Sequence, residues 1–234
     1  MTNSSQKLPR EERDLHETDK IGKEFDEDAC DFCDRYKRSG LSRSSKLLLD
    51  FIMQEGVPGR SVADLGCGTG GFSIELLKEG AETAIGFDLS SRMIDSANDL
   101  ATANGFADRA RFQIGNAAIA ELPVSDIVIM DKVLCCYSDW APLLKNAIGA
   151  SRAMVGFIVP RDDGIAKLPF RLGVRIVNYF QRRGGNIMFY LHPLKHVDRT
   201  LRDSGFAYRR KQSSRFWLVF LYSRVESNKL TPTR

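Results

Sequence analysis

The chain has 234 residues, 43% of them hydrophobic and 27% charged, which suffices for one well-filled core and excludes a wholly disordered or fibrous protein. The longest near-continuous apolar run, 216–222, is far shorter than the roughly 20 residues that span a bilayer, and no apolar stretch near the start suggests export, so a cytoplasmic protein is expected. The net charge of +4 is unevenly spread: residues 161–215 hold 13 basic and 4 acidic side chains, whereas 51–160 hold 8 and 13. Such a basic excess attracts an acidic substrate, a nucleic acid or an anionic membrane surface, unless it only solvates a helix face.

The first 20 residues are polar and without periodicity, and are expected to form a disordered or loosely attached arm. Over 21–36, Phe25, Phe32 and Tyr36 recur at helical spacing, and over 44–54 Leu47, Leu48, Phe51 and Ile52 make a clearer stripe that Pro58-Gly59 stops. Short apolar strands and helices then alternate: a strand at 61–65, a helix at 72–79, a strand at 84–88, and a helix capped by Ser90 that carries Met93, Ile94, Ala97, Leu100 and Ala101. Strands at 110–114, 125–130 and 153–159 follow, with a helix at 141–152 between the last two. In the segment 161–186, Leu168, Leu172, Ile176 and Phe180 repeat every four residues among Arg171, Arg175, Arg182 and Arg183, the pattern of a basic amphipathic helix over the sheet rim. A helix with Leu194, Val197 and Leu201 precedes two strands, 208–213 and 216–224, too close together for a helical crossover. The fold class is therefore α/β: a Rossmann-like, doubly wound, mostly parallel seven-stranded sheet with helices on both faces and a C-terminal antiparallel hairpin.

Five cysteines, Cys30, Cys33, Cys67, Cys135 and Cys136, are an odd and uneven set that argues against a disulfide framework. The Cys30-Asp-Phe-Cys33 pair lacks a second pair of ligands at matching spacing, so no metal is expected, and two small residues on one helix face is the simpler reading.

The chemistry is concentrated in Asp64-Leu-Gly66-Cys67-Gly68-Thr-Gly70-Gly71, between a strand and a helix. Glycines there let the main chain turn sharply and approach a ligand closely. Asp88, 20 residues after Gly68 at the end of the second strand, is placed to accept a ribose diol. As bare text the loop also fits a dinucleotide fingerprint, and a nicotinamide-dependent dehydrogenase is the alternative. Asp64 disfavours it, because a carboxylate beside a pyrophosphate is repelled whereas one beside an ammonium is welcome. The closing hairpin is foreign to the usual dinucleotide sheet as well.

The stretch 62–73 with Asp88 resembles the first two motifs of the class I S-adenosylmethionine-dependent methyltransferases, and the resemblance runs from about Gly40 to Arg224. It implies S-adenosylmethionine as cofactor, with Asp64, Gly66, Cys67, Gly68 and Gly70 under its methionine part. It also implies Asp88 on the ribose, Leu89 and Met93 flanking the adenine, and Asp131 and Lys132 at the methionine end. The third motif, commonly Gly-Asp-Ala, reads Gly115-Asn116-Ala117 here, and Asn116 can still accept a hydrogen bond from the adenine amino group. More narrowly, 131–139 and 189–193 look like a bacterial group distantly related to the magnesium-protoporphyrin O-methyltransferases. The implied organisation is an arm (1–20), N-terminal helices covering the cofactor site (21–58), a cofactor-binding core (59–160), a basic helical lid (161–187), a last helix with edge strands (188–225) and a flexible tail (226–234).

Methyl transfer from a sulfonium is an in-line displacement that needs alignment and exclusion of water, and a general base only when the acceptor keeps its proton. Tyr137, Asp139, Arg161, Arg175, Tyr190 and His192 are the candidates to face the acceptor, with His192 as base if one is used and Tyr137 beside it. The acceptor is expected to be a small anionic molecule, and an RNA bound through the basic 161–215 segment is the second possibility. A monomer or a homodimer fits equally well.

Overall fold

The structure, a computed structural model, describes residues 10–162, 167–184 and 189–225, with side chains over 15–162, 171–179 and 189–225. Seven strands form one sheet in the order β3-β2-β1-β4-β5-β7-β6. They are β1 (Ser61–Leu65), β2 (Thr83–Asp88), β3 (Ala110–Ile114), β4 (Ser125–Asp131), β5 (Ser151–Pro160), β6 (Phe206–Ser214) and β7 (Trp217–Arg224). The first five pair in parallel, and β7 pairs antiparallel with both β5 and β6. The hairpin thus inserts its second strand beside β5 and leaves the more polar β6 at the edge, where unpaired backbone meets water.

Near-continuous apolar strands follow from burial on both faces. Val62, Ile127, Ile129 and Met154 join one core with helices α2 (Arg43–Glu55), α3 (Gly71–Lys78) and α4 (Ser91–Ala103). Their neighbours Ala63, Leu65, Val128, Met130 and Val155 join the other, against α5 (Ala141–Ala150) and α7 (Leu194–Asp203). The strand order reverses between β1 and β4, the switch point at which open α/β sheets bind ligands.

Several boundaries differ from expectation, two of them for a reason the structure shows. Helix α1 runs from Arg10 to Ser39, so 10–20, expected as a loose arm, is helical; residues 1–9 and the expected tail 226–234 lie outside the described residues. What holds this polar stretch is tertiary: Glu17 accepts from the Ser138 amide and hydroxyl (3.1 and 2.8 Å) and from Tyr190 Oη (3.2 Å). Helix α5 also stops at Ala150, two residues early, because β5 begins at Ser151 to pair with Ser125.

Ser90 caps α4 as expected, its Oγ accepting from the Met93 amide at 3.0 Å, while its hydroxyl donates to Asp26 of α1 at 2.6 Å. Asp26 also accepts from the Arg92 amide at 3.0 Å, so one carboxylate ties α1 to the start of α4. Ser90→Ala removes both bonds of a fully buried hydroxyl. It is expected to cost about 1–2 kcal/mol in chemical denaturation, whereas a loss within error would show that the cap carries no load.

Candidate active site

A cleft of about 1110 Å³ opens over the C-terminal ends of β1, β2 and β4, roofed by α1 and the start of α2. Of the cofactor candidates, Asp64, Gly66, Cys67, Gly68, Asp88, Leu89, Met93, Ala117, Asp131 and Lys132 line it. Gly70 and Asn116 do not. Gly70 is the left-handed N-cap of α3 (φ 75°), where a Cβ would meet Phe112 at 2.9 Å, so its smallness serves packing. The Asn116 Oδ1 is engaged internally, accepting from the Ala118 amide at 3.0 Å and from Tyr137 Oη at 3.1 Å.

The glycine loop is fixed from below. The Gly66 and Cys67 amides both donate to the Phe87 carbonyl (2.7 and 3.0 Å), and the Gly68 amide donates to Asp88 Oδ2 at 2.8 Å. Gly66 (φ 72°) presses on the loop after β4: a Cβ there would lie 2.4 Å from a methyl of Val133. Gly68 (φ 52°) has only Met93 Sδ at 4.0 Å in that direction, so the chain offers open backbone to the cleft at this point.

Three carboxylates converge on the inner cleft. Asp64, 1% exposed, accepts from Ser73 Oγ at 2.7 Å. Burial raises its carboxyl to about 7; the Ser73 hydrogen bond opposes this, and the charges of Asp131 and Asp88 add to the rise. Asp88 is also raised, by burial, against the bonds it accepts from the amides of Ser90 (2.9 Å), Gly68 and Leu89. Asp131 accepts from the Ser45 hydroxyl of α2 and pairs with Lys132 Nζ at 2.8 Å. Lys132 adopts a left-handed backbone (φ 64°), uncommon outside glycine. That turn sends its ammonium to Ser42 (3.1 Å) and Ser45 (3.0 Å) and over the Trp217 ring at 5.5 Å.

Cations line the cleft as well. The exposed side chains Arg35, Arg43 and Arg215 and the half-buried Lys132 line the cleft, as do Glu24 and Asp28 of α1. The arginines were not singled out in the sequence, where isolated surface arginines carry no distinguishing pattern.

Among the acceptor candidates only Tyr137 lines the cleft; burial pushes its phenol up, and it donates to Asn116. His192 lies elsewhere, with Nε2 2.8 Å from the Leu134 carbonyl and its ring against Trp140 and Tyr190. Burial lowers its pKa, opposed by its hydrogen bonds to the backbone of Leu134 and Tyr137, an arrangement that braces the loop after β4 from behind. Tyr190 bonds Glu17 through its hydroxyl and Cys135 through its amide (2.8 Å). Arg161 donates its amide to the Phe216 carbonyl at 2.7 Å, Asp139 accepts from the Ala141 amide at the start of α5, and Arg175 is exposed on helix α6 (Lys167–Gly184). None of these four lines the cleft.

A family model described as a methyltransferase domain matches residues 57–192, which contain the glycine loop and all three carboxylates. The chain belongs to this methyltransferase family. Ribosomal protein L11 methyltransferase from Pectobacterium carotovorum is 28% identical over 131 residues, 55% of this chain and 44% of the relative. That from Actinobacillus succinogenes is 34% identical over 110 residues, 47% of this chain and 37% of the relative. The match thus spans less than half the length of these curated relatives. Among solved structures, the magnesium protoporphyrin IX methyltransferase of Synechocystis with bound SAM covers 96% of this chain and 100% of its own (TM-score 0.67, 18% identity). An O-methyltransferase family protein from Burkholderia thailandensis covers 85% and 60% (TM-score 0.66, 19% identity). At such identities the likeness shows the shared fold.

Proposed function

We propose that the protein transfers a methyl group from S-adenosylmethionine to a small anionic acceptor. The observation that carries this is the lining of the cleft: the buried or half-buried carboxylates Asp64, Asp88 and Asp131 gather beside the glycine loop, and the exposed cations Arg35, Arg43 and Arg215 line the same cleft with Lys132. A nucleoside bearing a sulfonium and an ammonium fits the inner wall, whereas a dinucleotide would set its pyrophosphate against Asp64. In this reading Asp88 accepts from the ribose hydroxyls, Leu89 and Met93 flank the adenine, and Asp64 with the glycine loop receives the methionine end. The cofactor, when bound, supplies an activated methyl carbon.

The chain's own contribution is alignment and exclusion of water. Lys132 and Arg215 hold an acceptor anion near Trp217. The raised phenol of Tyr137 and the braced imidazole of His192 leave neither as the base in this reading. A carboxylate acceptor needs none. Calorimetry with S-adenosylmethionine, S-adenosylhomocysteine and NAD tests the cofactor: the first two are expected to bind and NAD is not, and the reverse result would restore the dehydrogenase alternative. Mass spectrometry of a metabolite extract incubated with labelled donor tests the acceptor: label in small acids is expected, and label only in protein or RNA would refute the small-molecule part.

Protonation of Asp64 gives an independent check. Its native value of about 7 lies above the unfolded 3.8. Its contribution to stability is therefore full below about pH 4 and is lost as pH rises to about 7. A bound ammonium favours the charged carboxylate, so binding at about pH 6 is expected to release close to one proton, and affinity to rise with pH up to about 7. Calorimetry in buffers of different ionisation heat reads that proton, and Asp64→Asn should abolish it. Equal proton release by the wild type and Asp64→Asn would place the coupling elsewhere.

A further inference from the structure

Helix α6 has its amphipathic character turned outward. Leu172, Ile176 and Tyr179 lie on one face at i, i+4 and i+7, and they are 58%, 50% and 52% exposed, with Val177 beside them at 47%. The adjacent face carries Arg171, Arg175 and Asn178 at the same spacing. Among the described positions 171–179, Val174 and Asn178 are the half-buried ones and mark the side that meets the rest of the molecule. Arg171 forks onto Asp162 (2.7 and 2.6 Å), and Asn178 exchanges two hydrogen bonds with the Phe189 backbone (2.7 and 2.9 Å). Four of the thirteen exposed large hydrophobic side chains among the described residues fall within these eight positions, so the apolar surface is a patch and not scatter. The sequence of α6 holds five cations and no acid. None of its described side chains, 171–179, lines the cleft, and no described helix is long and apolar enough to cross a membrane.

We propose that α6 is a membrane-surface anchor, which lays Leu172, Ile176 and Val177 into the headgroup boundary of an anionic bilayer while Arg175 meets a lipid phosphate. Charge complementarity selects this occupant. A purely apolar groove on a protein partner would leave Arg175 without a role, whereas a bilayer supplies an apolar layer and an anionic plane at adjoining depths. Anchoring by one helix is reversible, weakened by salt, and independent of what the cleft binds.

The test is co-sedimentation of the full chain with vesicles of equal parts phosphatidylglycerol and phosphatidylcholine, or of phosphatidylcholine alone. Binding to the anionic vesicles is expected to be about tenfold or more stronger and to fall as salt is added. The double variant Leu172→Glu/Ile176→Glu should abolish it, with the melting temperature and S-adenosylhomocysteine affinity of the wild type retained. Absence of binding to the anionic vesicles, or equal binding by the double variant, overturns the proposal. So does a dimer that the double variant dissociates, since the face would then cover a second copy. Weakened S-adenosylhomocysteine binding in the double variant also overturns it, since α6 would then close over its own cleft.

Discussion

Asp88→Ala is expected to weaken S-adenosylmethionine binding by about 2–4 kcal/mol, roughly 30- to 700-fold in Kd, because under the proposed function its carboxylate accepts two charge-assisted bonds from the ribose. The same carboxylate holds the Gly68 and Ser90 amides at 2.8 and 2.9 Å, so the variant also frees the glycine loop from β2 and from the start of α4. Asp88→Asn separates the two roles. Its amide oxygen still accepts one backbone bond, so melting temperature should recover most of its loss while cofactor affinity recovers little. Thermal melts and titration calorimetry of each variant read the two effects, and wild-type affinity in Asp88→Ala would remove the ribose from this position.

Gly66→Ala is expected to have a comparably large effect, for a different reason. An alanine there must adopt φ 72°, and its methyl would sit 2.4 Å from Val133 Cγ2. The left-handed conformation costs about 1–2 kcal/mol and overpacking about 1–3 kcal/mol more. Because the Gly66 amide is bonded to the Phe87 carbonyl at 2.7 Å, the loop cannot rise without losing that bond. Adding Val133→Ala should return the overpacking share and leave the conformational share, a split that chemical denaturation of the single and double variants measures. A double variant no more stable than Gly66→Ala would mean that the contact between the loops after β1 and β4 is slack.

What was legible in the sequence is what local periodicity and single-residue chemistry encode. The alternation of strands and helices, the Ser90 cap, the closing hairpin and the place of Asp88 at the end of β2 each depend on a few neighbouring residues. The start of α1 was not legible, since 10–20 carries no apolar stripe and is held by Glu17 contacts to segments more than a hundred residues away. His192 and Tyr190 were misleading for a related reason. They stand where a rim residue would stand in the chain, but backbone carbonyls and Glu17 take up their polar atoms behind the loop after β4. Asn116 matched a motif position, yet Tyr137 and the Ala118 amide occupy its acceptor oxygen, a partnership that only the fold creates. Arg35, Arg43 and Arg215 line the cleft from α1, α2 and the β6–β7 turn, and nothing local marks them as a group.

The most direct measurement is the crystal structure of the protein soaked with S-adenosylhomocysteine. The account predicts both ribose hydroxyls within hydrogen-bonding reach of Asp88, the amino group on the Asp64 side of the glycine loop, and the sulfur facing Lys132 and Arg215. A nucleoside seated elsewhere, or one whose amino group turns away from Asp64, would contradict it.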